Sequence, residues 1–160
     1  MGTQDGIAAL TFDPEQIRCV SALLRHGVEL MVTGGYAVRF HGHMRFAKDL
    51  DVLVGNDRQN AERLCFALTD ILRVAHPSIT PEAFEGQSRQ VNFESWGLKF
   101  EVLTGAAGVD FQRTYGRRFM VPLGIAEVPV IPKDALIAMK RIAGRSVDLS
   151  DIAALEATTT

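Results

Sequence analysis

The run Val32-Thr33-Gly34-Gly35-Tyr36-Ala37, followed by His41-Gly42-His43-Met44-Arg45-Phe46-Ala47-Lys48-Asp49-Leu50-Asp51-Val52-Leu53-Val54, decides how this chain reads. Val28-Glu29-Leu30-Met31-Val32 is a short run that predicts a strand ended by Gly34-Gly35, and Tyr36 to Phe40 predicts a helix straight after the glycines. Leu50 to Val54 predicts a second strand, stopped by Gly55-Asn56-Asp57. Two glycines between a strand and a helix let backbone N–H groups come close to an anion. Asp49 and Asp51 lie two apart, so on a strand both carboxylates leave one face while Leu50 and Val52 go to the core. Carboxylates held that close repel unless a cation sits between them, and oxygen-only ligands suit Mg²⁺ or Mn²⁺. A calcium loop does not fit, because Leu53, Val54 and Gly55 follow the acidic pair. Taken alone, a Gly-Gly pair is an ordinary turn and an Asp-x-Asp strand mouth is ordinarily solvated or paired with neighbours such as Arg45 and Lys48. The order strand, Gly-Gly, helix, loop, Asp-x-Asp strand gives the parts a joint meaning.

Working outward, Asp13 is placed to cap a helix that has Pro14 in its first turn, repeats Ile17, Val20, Leu23 and Leu24 at helical spacing, and closes at Gly27. Ala61 to Leu72 predicts another helix. Gln90 to Trp96 and Leu98 to Leu103 predict a hairpin with Gly97 at the turn. Phe119 to Leu123 and Ala126 to Ile131 predict two more strands around Gly124, with Pro122 and Pro129 suggesting edge positions. Pro132 to about Ala143 and Val147 to Leu155 predict a closing pair of helices, with Thr158-Thr159-Thr160 fraying. The expected fold is α/β (α+β): one domain over residues 1–160, with a mixed sheet of four to six strands flanked by helices. Its core covers about 13–131 and its C-terminal helical pair about 132–157.

Composition sets the outer limits. A chain of 160 residues with 47% hydrophobic and 22% charged residues has a globular balance, outside the disordered and fibrous classes. A net charge of −2 argues against a general nucleic-acid coat or a polybasic membrane binder. Cys19 and Cys65 sit among apolar residues and read as buried thiols in a reducing compartment. No apolar stretch is long enough to span a membrane. The opening Met1-Gly2-Thr3-Gln4-Asp5 has neither the basic flank of a signal peptide nor a myristoylation pattern, so a cytoplasmic location is expected.

The Gly34-Gly35 and Asp49-Leu50-Asp51 combination resembles the nucleotidyltransferase superfamily, which has the polymerase-β-like fold. Gly35-Tyr36-Ala37, His41-Gly42 and Arg45-Phe46-Ala47-Lys48-Asp49 resemble more narrowly the nucleotidyltransferase-like toxins of toxin–antitoxin and abortive-infection systems. That branch carries a C-terminal Lys, Arg and Asp cluster, matched here by Lys140, Arg145, Asp148 and Asp151. The resemblance covers most of residues 28–155. It implies a metal-dependent enzyme that transfers a nucleoside monophosphate from an NTP to an acceptor hydroxyl. Asp49, Asp51 and Glu101 would be the catalytic carboxylates and metal ligands for Mg²⁺ or Mn²⁺. Gly34, Gly35, Arg45 and Lys140 would bind the nucleotide, with His41, Lys48, Arg145, Asp148 and Asp151 in support.

Glu101 is the third-carboxylate candidate because alternation turns it away from Phe100 and Val102; as an ordinary exposed strand residue it would do nothing. Two departures from the pattern stand out. Ala47 replaces the branch's usual Thr, and Glu101 replaces a more usual Asp. They motivate the alternative of a catalytically inactive nucleotidyltransferase-fold module that binds a nucleotide or a partner protein. A structural domain whose Asp pair is merely solvated is the third reading. His41 and His43 lack a third ligand at metal spacing and read as packing or hydrogen-bonding residues, with His41 orienting the loop that carries Arg45. Lys140 is expected on a helix face away from Leu136, and Arg145 and Asp148 could pair with each other. Arg113, Arg117 and Arg118 form the densest basic patch, and Phe93, Trp96 and Phe111 could stack on a base or fill the core. Little of the chain is left for an acceptor domain. The acceptor, open between a small molecule, a protein and RNA, is expected to be small, to dock on the core, or to be presented by a partner protein or second copy.

Overall fold

The computed structural model describes residues 10–158. The expectations for Met1 to Asp5 and for the fraying of Thr159 and Thr160 lie outside the described residues; Thr158 itself is held, its carbonyl accepting from Lys133 Nζ at 3.3 Å. The chain runs α1 (Pro14–Arg25), β1 (Leu30–Thr33), α2 (Gly34–Phe40), β2 (Leu50–Val54), α3 (Arg58–Leu72), α4 (Pro81–Phe84) and β3 (Gln90–Asn92). A 3₁₀ turn (Glu94–Trp96), β4 (Phe100–Leu103), α5 (Phe111–Tyr115), β5 (Phe119–Leu123), β6 (Ala126–Val130), α6 (Lys133–Ala143) and α7 (Ser146–Ala157) complete it. The fold is α+β, with one six-stranded mixed sheet in the order β3-β4-β2-β1-β6-β5.

Local chemistry sets the starts. Asp13 accepts the Gln16 N–H while the Gln16 side chain accepts the Asp13 N–H, a reciprocal cap on α1. Asp57 caps α3 through the Asn60 N–H, so that helix begins at Arg58 rather than Ala61. Every residue of β1 is buried, which requires cover on both sheet faces. The helices provide it: α1 packs on α3, which also carries α4, while α6 packs on α7 and touches α2.

Three further expectations change. The hairpin forms, with Val91 opposite Val102, but its first strand stops at Asn92. There the Asn92 side chain accepts the Glu94 N–H and turns the chain into the 3₁₀ segment, with Gly97 at φ 76°. Asp49 precedes β2 rather than lying on it. Pro122 is on edge strand β5 as expected, but Pro129 is on β6, between β1 and β5. Proline has no N–H to give, and β6 meets β1 only at Val130, one residue further on, where the Ile131 N–H donates to Val32 O at 3.1 Å. The proline is tolerated inside the sheet because the ladder starts after it.

Candidate active-site cleft

Register places the carboxylates. β1 pairs antiparallel with β2 so that Thr33 faces Asp51, and β2 runs parallel to β4 so that Asp51 faces Glu101. Both side chains leave the same side of the sheet, into a cleft of about 530 Å³. Asp49, Gly34 and Gln90 also line it on the sheet side, and Leu136, Lys140, Arg145 and Asp148 line it on the helical side. The Asp51 and Glu101 carboxyls come within hydrogen-bonding reach of each other. Burial, then the Glu101 hydrogen bond and charge, then the charge of Asp49, push the Asp51 carboxyl up to about 8, against a counter-pull from Lys140. Glu101 also accepts from Gln90 Nε2.

Gly34 is fixed by this arrangement. It sits at φ +61°, and a Cβ there would lie 2.1 Å from Asp51 Oδ2. Gly35 is tight for a different reason, since its Cβ would meet Ala47 Cβ at 3.1 Å and Arg45 Nη1 at 3.3 Å.

The opposite wall is a charge network. Asp148 and Asp151, each 1% exposed, point from α7 at Lys140, itself 7% exposed. Lys140 Nζ lies 2.9 Å from Asp151 Oδ2 and 3.5 Å from Asp148 Oδ1. Arg45 closes a two-pronged bond on Asp151 at 2.8 and 3.0 Å and donates to its neighbour Phe46 O. Arg145 does the same on Asp148 at 2.7 and 3.2 Å, while its side chain stays 72% exposed at the cleft rim. His43 Nε2 stands 4.0 Å from Asp151 Oδ1. Burial alone would raise both aspartates. The bonds from Arg145 to Asp148, and from Arg45 and Lys140 to Asp151, outweigh it and hold them below the ordinary range.

Lys140 therefore shares the face of Leu136 rather than turning from it. Four residues advance a helix by little more than one turn, so the two side chains project together. Its ammonium and the Arg45 guanidinium both engage Asp151 instead of standing free for phosphate. Asp151→Asn would leave these two cations facing a neutral amide; the expected cost is about 3 kcal/mol, read as a fall in thermal midpoint on the order of 10 °C. The folded pKa values of both aspartates are depressed, so their stabilisation is present above the ordinary aspartate range and lost as pH falls below it through the depressed folded values. Wild type and Asp151→Asn should converge in acid denaturation.

His41 is buried, and its Nε2–H donates to Ile131 O at 2.7 Å, which ties the end of α2 to the end of β6 rather than to Arg45. Burial holds this imidazole below its usual range. Lys48 is exposed, 4.0 Å from Glu94. The basic patch is divided: Arg117 pairs with Asp134 at 3.1 Å and Arg118 lies over the Tyr115 ring at 4.0 Å. Phe93 stacks on Phe100 and Phe111 on Tyr115, leaving Trp96 as the exposed member of its trio. Cys19 is buried and Cys65 partly so, and burial pushes both thiols up to about 11, far from nucleophile range. No helix among the described residues is long and apolar enough to cross a membrane.

The sequence reading missed Gln16, a buried side chain whose amide reaches the entrances of two strands of the site. Among the described residues, no group of three or more His, Cys, Asp or Glu side chains stands ready to hold a metal ion. The facing pair Asp51 and Glu101, with Asp49 lining the same cleft, supplies only oxygen donors, the chemistry a hard divalent cation takes. No protein-family model and no curated protein matches the chain.

Proposed function

We propose that the cleft is a nucleotidyltransferase site, which transfers a nucleoside monophosphate from an NTP to an acceptor hydroxyl. The observation that carries this reading is the close approach of the Asp51 and Glu101 carboxyls beside Gly34, in a cleft with Asp49 on its lining and Arg145 on its rim. Asp49, Asp51 and Glu101 would hold Mg²⁺ or Mn²⁺, which supplies charge neutralisation on the phosphates and acidifies the acceptor hydroxyl. The acceptor oxygen attacks the α-phosphorus, the bond from that phosphorus to the bridging oxygen breaks, and pyrophosphate leaves with the bond's electrons. Glu101 takes the hydroxyl proton. Gly34 leaves the space that a side chain would close over Asp51, and the exposed Arg145 guanidinium meets phosphate at the rim. A place in a toxin–antitoxin pair belongs to the same proposal, resting on the sequence resemblance alone.

The test is transfer of label from α-³²P NTPs to a cellular extract or a model acceptor, with Mg²⁺ and with a chelator. Labelling is expected only with the metal, and Asp49→Ala should remove it. Labelling that persists in both Asp49→Ala and Asp51→Ala would sink the mechanism.

A second reading, a nucleotide- or partner-binding module without turnover, draws on two observations. The acidic side chains form no ready-made cation cage among the described residues, and Arg45 and Lys140 both engage Asp151. Under it, calorimetry detects NTP binding while no pyrophosphate is released.

A further inference from the structure

Outside the charged walls of the cleft, one side chain reaches both of its acidic strands. Gln16 projects from the first turn of α1, is 1% exposed, and uses every hydrogen-bonding position it has. Its Oε1 accepts from the Asp13 N–H at 3.0 Å and the Tyr36 hydroxyl at 3.1 Å. Its Nε2 donates to Lys48 O at 2.8 Å and Lys99 O at 2.9 Å. Those carbonyls belong to the residue before Asp49 and the residue two before Glu101. Lys99 O also accepts the Leu50 N–H at 2.9 Å, the bond that opens the β2–β4 ladder. That ladder sets Asp51 opposite Glu101. A helix cap of this kind needs only the acceptor oxygen; the two donors aimed at strand entrances are not explained by capping α1.

We infer that Gln16 is a positioning residue for the acidic site: one amide fixes the entrances of β2 and β4 relative to each other and so sets the approach of Asp51 to Glu101. The register it fixes is a feature of the fold, while its catalytic consequence rests on the nucleotidyl-transfer reading. A displacement of about 1 Å at a reacting group lowers a rate on the order of 10²-fold, so loss of this clamp should appear in turnover rather than in nucleotide affinity.

The experiment compares Gln16→Glu, Gln16→Met and Val20→Ala in the full chain. Gln16→Glu keeps the acceptor for Asp13 and Tyr36 and removes the two donations to the strands. Gln16→Met keeps the length without any hydrogen bond and serves if the buried carboxylate prevents folding. Val20→Ala removes buried volume from the same helix without touching the clamp. Amide hydrogen exchange is followed residue by residue, alongside transfer kinetics. In the Gln16 variants, exchange of the Leu50 amide is expected to quicken about 10-fold or more beyond the change at Leu64 in α3, and kcat to fall on the order of 10²-fold with KM for the NTP little changed. In Val20→Ala the Leu50 and Leu64 amides should move together. Leu50 exchange that changes no more in the Gln16 variants than in Val20→Ala would overturn the inference. A selective Leu50 effect in a protein that transfers no nucleotide would keep the clamp and remove the transfer reading.

Discussion

Asp51→Asn is expected to stabilise the fold at pH 8.5 while lowering nucleotidyl transfer on the order of 10³-fold. The two effects share a cause. Asp51 is crowded by Glu101 and Asp49 in a largely buried position, so its carboxyl holds a proton up to about pH 8. In the unfolded chain the same group releases its proton near 3.8. With the folded pKa raised, this group's contribution is fully present below the ordinary aspartate range and is lost as pH rises through about 8. An amide cannot ionise, so the variant avoids that loss. A gain of about 2 kcal/mol, a rise of roughly 4–8 °C in thermal midpoint, is expected at pH 8.5 and should shrink toward pH 4. Added Mg²⁺ should raise the midpoint of the wild type under the same conditions and leave Asp51→Asn nearly unmoved. A midpoint that falls in the variant at pH 8.5 would show that the pair does not repel.

Gly34→Ala is the second large effect. The backbone there is left-handed, which costs an L residue about 1–2 kcal/mol, and the new methyl would lie 2.1 Å from Asp51 Oδ2 and 2.9 Å from its Cγ. Gly86 supplies the control, because it has nearly the same φ, +66°, with nothing within 4 Å of a built Cβ. Gly86→Ala should show only the backbone cost. Gly34→Ala should lose about 2 kcal/mol more, or roughly 4–8 °C, and lose transfer as well. Removing the carboxylate in the double variant Gly34→Ala, Asp51→Ala should recover part of that excess, since the aspartate Cβ at 3.0 Å stays close. Equal losses at the two glycines, measured by denaturant unfolding, would mean that the crowding at Asp51 is absent.

The parts of this fold that sequence discloses are the ones written in neighbouring residues. Asp13 with Pro14 marks the start of α1, and the alternation at Phe100, Glu101 and Val102 turns Glu101 away from the core. What sequence leaves out depends on distant partners. Nothing near Pro129 says that β6 joins β1 only beyond it. The expected face of Lys140 was wrong on helix geometry alone, yet even the right face would not have revealed Asp148 and Asp151 beneath it. Gln16 went unread because its two bonds to the strand entrances span 32 and 83 residues. The tip of the β3–β4 hairpin is local in origin and was still misread, because an asparagine turn within a strand-like run looks like strand.

The Arg45–Asp151 bond joins positions 106 apart in the chain. At roughly 5–20 residues per second, a ribosome that has just made the acidic strand mouth works for about 5–20 s before it makes the aspartate that fastens the loop in front of it. For the first half of that interval Glu101 is missing as well, and for the second half the nascent protein carries all three acidic side chains without the opposite wall. If the proposed transfer needs both walls of the cleft, a chain still on the ribosome gains activity only after the last helix has been made and has docked.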